Sequence, residues 1–114
     1  LLKYIKKHFQ NVLQSGGLLP LVSYNYAREL NLTERYKESI DIATTGWMSC
    51  VQYGQYRYLP GVLAIISDSY YHLNNHKMCK EYLLQAYYIY KGIADFTNAS
   101  IMEENANDWG IKLD

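Results

Sequence analysis

The sequence lacks long apolar runs and an excess of either charge. No uninterrupted apolar stretch approaches the roughly 18 residues that a membrane-spanning helix needs. The formal net charge of the 114 residues is zero, whereas binding to nucleic-acid phosphates leaves a basic excess in a sequence. We therefore expect a single domain over residues 1–114, with no membrane segment and no nucleic-acid surface of its own.

Cysteine is scarce, and its spacing carries no motif. The two cysteines, Cys50 and Cys79, show no CxxC pattern and fall on predicted apolar helix faces. Such residues are typical of reduced core positions in a cytoplasmic protein. No signal peptide is visible. The chain does not begin with Met, and its first residues Leu1-Leu2-Lys3 already have the pattern of a helix interior. We therefore expect a fragment of a longer protein.

The sequence also lacks recognisable catalytic motifs. It has no Ser/His/Asp or Cys/His set at a known spacing and no glycine-rich phosphate loop. The Asn74-Asn75 turn separates His72 from His76, so these two histidines do not form a helical metal pair. The sequence predicts no enzyme, no cofactor and no metal site.

What the chain has in quantity is tyrosine, with 13 tyrosines against two phenylalanines. Tyrosine offers a large contact area and a polar tip, which suits half-buried helix packing and also a binding groove. The aromatic run Tyr87, Tyr88 and Tyr90 is open to both interpretations. We expect Tyr87 and Tyr90 in the core and Tyr88 partly exposed.

The stretch from Arg35 to Tyr53 predicts one long amphipathic helix. Its expected apolar face holds Tyr36, Ile40, Ala43, Trp47, Cys50 and Val51. Its expected polar face holds Glu38, Asp41, Thr44 and Ser49. This stretch recurs 40 residues on, as KMCKEYLLQAYYIYK, and each copy follows a shorter apolar helix. We interpret the two copies as tandem helix-turn-helix units.

The order of the units follows from this offset and from turn signals. We expect residues 1–15 to be the second helix of a truncated unit, 18–54 and 57–94 to be repeats, and 95–110 to be a capping helix. The stripe of the first helix is Leu2, Ile5, Phe9, Val12 and Leu13, and Ser15-Gly16-Gly17 ends it. The buried face of the second is Leu19, Val22, Tyr26, Ala27 and Leu30.

Helix starts have their own signals. Pro20 and Pro60 fall in first turns, where a missing N–H costs nothing. Thr33 is the expected cap of the third helix. The last helix begins at Asp95 or nearer Ser100, and Gly110 lies beyond its end. No period-two alternation predicts a strand.

The small and large residues of the two units resemble those of tetratricopeptide repeats. A small residue lies one turn before a large one at Ala27 and Leu30, and the second copy has Ser67 and Tyr70. Later small positions are Ser39, Cys79, Gly46 and Ala86, and the aromatic after the turn is Tyr36. Three features depart from the family: His76 at the second aromatic position, the longer repeat, and the absence of the closing proline.

A closer likeness is carried by the segments ARELNLTERYKESIDIATTGW, YGQYRYLPGVL, LLQAYYIYKGIAD and WGIKL. They resemble the C-terminal repeat domain of cytoplasmic Rgg/PlcR-like regulators of Gram-positive bacteria, which carry an N-terminal Cro/CI-type helix-turn-helix. The resemblance implies a short right-handed solenoid of about six helices. It also implies a dimerisation domain that senses a short peptide, and contact with nucleic acid only through a missing N-terminal domain.

In a tetratricopeptide-like stack the first helix of each unit lines the concave face. The first-helix positions that are not assigned to a buried face, and so are expected on the concave face, are Tyr24, Asn25, Arg28, Asn31, Ala64, Ile65, Asp68, Tyr71 and His72. Asn25 is the leading candidate because an amide donates to and accepts from a peptide backbone. Arg28 is expected either to hold a peptide carboxylate or to pair with Glu29, Glu34 or Asp68.

Three functions remain open from the sequence. The first is peptide or protein sensing on the concave face. The second is a general protein-interaction scaffold without a small ligand. The third is homo-oligomerisation, because about two and a half units leave end surfaces exposed.

Overall fold

The protein is all-helical, as the sequence predicts. The computed structural model describes residues 1–13 and 17–113, and this part of the chain contains six α-helices, one 3-10 turn (Tyr56–Tyr58) and no strand. The helices are α1 (Leu2–Val12), α2 (Leu19–Leu32), α3 (Tyr36–Gln52), α4 (Leu59–His72), α5 (His76–Gly92) and α6 (Phe96–Trp109). No helix in the described ranges is long and apolar enough to cross a membrane.

The helices pack as a series. Each one lies against the next in sequence, and α2 also contacts α4. The core follows the same order, with one cluster between α1 and α2, one joining α2, α3 and α4, and one joining α4, α5 and α6. The apolar face of each helix is therefore covered mainly by its sequence neighbours, which is typical of a chain built from helix pairs.

The ends of α2 to α5 share one geometry at a fixed spacing. Each is followed by a residue of positive φ: Glu34 at 60°, Gly54 at 67°, Asn74 at 61° and Ala94 at 60°. In each turn the next N–H donates to a carbonyl five residues back, for example Arg35 N to Leu30 O at 2.8 Å. This is the Schellman closure of a helix. Successive members of this set are 20 positions apart, so α3, α4 and α5, each with its turn, use the same length of chain.

A hydrogen bond at equivalent positions links the two helices of each unit. The Ser39 hydroxyl on α3 donates to the Ala27 carbonyl on α2 at 2.9 Å. Forty residues on, the Ser67 hydroxyl on α4 donates to the Cys79 carbonyl on α5, also at 2.9 Å. The serine lies on the second helix in the first pair and on the first helix in the second pair, but both hydrogen bonds join equivalent positions of the 40-residue repeat. The 40-residue offset found in the sequence thus has a counterpart in three dimensions.

The inner face of α3 differs from the prediction. Trp47 and Val51 were expected inside, but they are 37% and 51% exposed, whereas Ser49 was expected outside and is 3% exposed. A Cβ added to Gly46 would lie 2.7 Å from the Ser23 Cβ, so α2 and α3 approach too closely for large side chains. Residue size therefore decides which face of α3 is buried. The buried set is Ser39, Ala43, Gly46, Ser49 and Cys50.

Two further predictions were wrong, and two were right. Leu13 is exposed because it follows the last residue of α1. Thr33 does not cap α3, since its hydroxyl donates back to the Glu29 and Leu30 carbonyls of α2. Asp95 caps α6, and Asn75 in the predicted turn caps α5. Of the predicted end of α1, Ser15 and Gly16 lie outside the described residues.

Replacement of Leu83 tests the position of the core. Leu83 on α5 is 1% exposed, and we expect Leu83→Ala to lower the free energy of unfolding by about 2–5 kcal/mol because it leaves a cavity. Leu32→Ala is the matched control, since Leu32 is 71% exposed and its loss should cost less than about 0.5 kcal/mol. Urea denaturation measures both variants. Equal effects would show that the buried faces are misassigned.

The positive-φ positions allow a reciprocal test. We expect Gly54→Ala to destabilise the fold by about 1 kcal/mol, because a Cβ disfavours this left-handed backbone while meeting no neighbouring atom within 4 Å. Ala94→Gly should stabilise the fold by about 0.5 kcal/mol, because relief of strain exceeds the added entropy of the unfolded chain. Thermal and urea denaturation should give opposite signs. Two shifts of the same sign would contradict the turn geometry.

Candidate functional site

One surface crosses the helices α2, α4 and α6. It consists of two adjoining depressions of about 410 and 360 Å³, which share Tyr24, Gly61, Tyr90 and Asn98. We call this surface the α2–α4–α6 groove. Its lining includes six of the nine residues predicted for the concave face, namely Tyr24, Arg28, Asn31, Ala64, Ile65 and Asp68.

The other three predicted residues do not line either depression. Asn25 is half-buried on α2. The Tyr71 ring stacks on Trp109 of α6, with centroids 4.5 Å apart. The His72 ring stacks on Tyr36 at the start of α3, with centroids 4.6 Å apart. Tyr71 and His72 thus join α4 to α6 and α3.

Asn31 lines the groove, but its side-chain amide already forms hydrogen bonds within the protein. Its Nδ2 donates to the Ile65 carbonyl at 3.2 Å and to Asp68 Oδ2 at 3.0 Å. Its Oδ1 accepts from the Ser69 hydroxyl at 2.7 Å. Both ends of the amide therefore bond to α4, and Asn31 fixes α2 against α4. The pattern of the sequence gave no indication of the part that Ser69 plays.

Asp68 is held at the groove wall by two partners. Besides the bond from Asn31, its Oδ1 lies 3.5 Å from His72 Nδ1, and the same nitrogen lies 2.9 Å from the Asp68 carbonyl oxygen. Burial raises the pKa of the Asp68 carboxyl, and the charge of His72 and the bond from Asn31 partly offset this rise. The carboxylate is therefore tied to the protein, although 36% of the side-chain surface remains exposed.

The two arginines of the groove have aromatic neighbours instead of acidic ones. The Arg28 guanidinium carbon lies 5.9 Å from the Tyr24 ring centroid, and that of Arg57 lies 5.6 Å from the Tyr58 ring centroid. The salt bridges found among the described residues are Arg35–Glu38 and His72–Asp68. Arg28 thus forms none of the ion pairs that the sequence left open, and both guanidinium groups keep their hydrogen-bond donors for another acceptor.

Two features of the groove were missed from the sequence. Gly61 on α4 lets the Tyr24 ring lie against the helix, because a Cβ there would come 2.7 Å from Tyr24 Cε1. The helix α6, predicted as a cap, supplies a wall through Asn98, Met102 and Asn105. The spacing of these three residues places them on one helix face, and this signal was available in the sequence.

The described residues contain no cluster of three or more His, Cys, Asp or Glu side chains that could hold a metal ion. The polar groups that line the groove are amides, tyrosine hydroxyls, two arginines and two carboxylates, Asp68 and Asp95. Asp95 Oδ2 accepts from the Asn98 amide at 2.8 Å while Oδ1 caps α6.

The raised pKa of Asp68 predicts how stability depends on pH. A carboxyl whose pKa is raised by folding stabilises the fold below its unfolded pKa, near 3.8, and this contribution is lost as pH rises through the folded value. We expect Asp68→Asn to flatten the pH dependence of stability that sets in as the pH rises above about 3.8. The stability of the variant relative to that of the wild type should be highest at neutral pH. Thermal denaturation across this range measures the effect, with Asp41→Asn on the exposed face of α3 as control. The prediction would be wrong if Asp68→Asn were less stable than the wild type at neutral pH but not at acidic pH.

No protein-family model, curated protein or solved structure matches this chain. The groove is therefore interpreted from its own geometry and chemistry.

Proposed function

We propose that the chain is a non-catalytic sensing domain that binds a short extended peptide in the α2–α4–α6 groove. The observation that carries this proposal is a groove that combines tyrosine rings and apolar walls with two arginines lacking acidic partners among the described residues. Each depression has a volume within the range of about 300–1,000 Å³ typical of ligand sites. The sequence resemblance extends the proposal to the sensory and dimerisation part of a cytoplasmic transcriptional regulator.

We also propose that the helices form a short right-handed tetratricopeptide-like solenoid. The 20-residue spacing of the positive-φ turns and the packing of each helix on the next support this arrangement. In such a stack the first helices share one concave face. A groove across α2, α4 and α6 is then the expected binding surface.

The charges of the groove favour an acidic peptide or a free C-terminal carboxylate. Arg28 and Arg57 present guanidinium groups that match the geometry of a carboxylate. The two acidic residues of the groove are engaged, Asp68 by Asn31 and Asp95 by the cap of α6. An incoming carboxylate would therefore meet two arginines without ion-pair partners among the described residues, and two carboxylates whose oxygens already accept hydrogen bonds from the protein. Stacking of the arginines on tyrosine also reduces the entropy lost when they bind.

A protein-interaction scaffold is the second candidate function. Trp47, Met48 and Val51 form an exposed apolar stripe on α3, and their spacing places them on one side of the helix. A folded partner would bury this stripe without using the groove. Trp47→Ser with Met48→Ser should then abolish partner binding, while groove variants leave it unchanged.

Arg28→Gln tests the peptide proposal. We expect an approximately tenfold or greater loss of affinity for acidic peptides, because a charge-assisted hydrogen bond contributes about 1.5–3 kcal/mol. The measurement is fluorescence anisotropy with two labelled hexapeptide pools of matched hydrophobicity, one rich in Asp and Glu and one rich in Lys.

The control is Arg35→Gln, which removes an exposed arginine that already pairs with Glu38 at 2.8 Å. This variant should bind the acidic pool as the wild type does. Equal losses in both variants would indicate a nonspecific charge effect. Failure of the folded wild type to bind either pool would refute peptide binding in the groove.

A further inference from the structure

The zero net charge conceals a separation of charge between the first and last helices. The helix α1 contains Lys3, Lys6 and Lys7 and no acidic residue. The helix α6 contains Glu103, Glu104 and Asp108 and no basic residue. All six of these side chains are exposed. The chain therefore has one basic helix surface and one acidic helix surface.

These helices also occupy the two ends of the packing series. Among the described residues, α1 packs chiefly against α2 and α6 packs chiefly against α5, so each of these helices has a face that no other described helix covers. Apolar side chains are exposed on both helices. Tyr4 lies among the lysines of α1 and is 78% exposed, and Ile101 is exposed near Glu104 on α6. Each end thus combines a charge of one sign with apolar contact area.

We propose that copies of this chain associate head to tail, with the basic face of α1 against the acidic face of α6 of a second copy. Like charges disfavour the pairing of α1 with α1, which would oppose lysines, and of α6 with α6, which would oppose carboxylates. A contact of α1 with α6 joins different surfaces of the two copies. It either is reciprocated in a closed dimer or continues into open chains or a ring.

The contact is weak and depends on salt. Exposed ion pairs contribute little individually, and at high ionic strength their attraction is screened beyond a few ångströms. Complementary charge therefore selects the orientation and accelerates encounter, while Tyr4 and Ile101 supply contact area. The charges that orient the association differ from the two groove arginines, which lie on α2 and in the 3-10 turn. Ile101 is shared, because it also lines the groove.

Reversal of charge at each end provides the test. One variant combines Lys6→Glu with Lys7→Glu, and the other combines Glu104→Lys with Asp108→Lys; all four side chains are exposed. Glu103 is retained because it accepts a hydrogen bond from the Tyr87 hydroxyl at 3.3 Å. Circular dichroism checks that both variants remain helical. Sedimentation velocity measures association of the 114-residue chain at increasing concentration.

We expect the wild type to form dimers or larger species at about 0.05 M salt and to dissociate at about 0.5 M, with a decrease of tenfold or more in the association constant. Each variant alone should remain monomeric, and an equimolar mixture of the two should associate again, because opposite charges then face each other. A wild type that stays monomeric, a salt-insensitive dimer, or a mixture that fails to associate would overturn the proposal.

Discussion

The repeated left-handed closure of the helices is the constraint on which the rest of the structure depends. Glu34, Gly54, Asn74 and Ala94 adopt positive φ at intervals of 20 residues. Because α3, α4 and α5 with their turns use the same length of chain, alternate helices return to the same side of the molecule. The helices α2, α4 and α6 can therefore line one groove. Only one of the four closing residues is glycine, so the energy of helix packing must exceed the strain at the other three.

Close helix contacts then determine which side chains remain available for binding. Between α2 and α3 the contact of Ser23 with Gly46 admits only small residues, and the Ser23 hydroxyl is buried without a hydrogen-bond partner in the described part of the chain. Between α2 and α4 the Asn31 amide bonds at both ends to α4. The same packing displaces Trp47 to the surface. Polar residues of the first helices thus serve two purposes, since Asn31 holds the helices together while Arg28 remains free of such bonds.

Most of the helical pattern was predictable because caps and turns act locally. Asp95 and Asn75 accept hydrogen bonds from N–H groups three residues on, so neighbouring residues suffice to predict them. The face of α3 was not predictable from hydropathy, because the nearness of α2 favours Gly46 and Ser49 over Trp47. Helical spacing alone placed Arg28 and Asp68 on the face that lines the groove. It could not predict that His72 and Tyr71 lie outside both depressions, because their stacking partners Tyr36 and Trp109 are distant in sequence.

The preference for tyrosine over phenylalanine follows from this architecture. A side chain that bridges core and groove needs an apolar ring and a polar tip. Tyr90 packs in the core and also lines the groove, and burial raises its pKa to about 12. Its hydroxyl, like any tyrosine hydroxyl at neutral pH, is protonated, and in the proposed complex it would be able to donate a hydrogen bond to a bound carbonyl or carboxylate. Phenylalanine would fill the same core position without this donor. The tyrosines of the groove and its two arginines consequently favour the same class of occupant, one rich in oxygen acceptors.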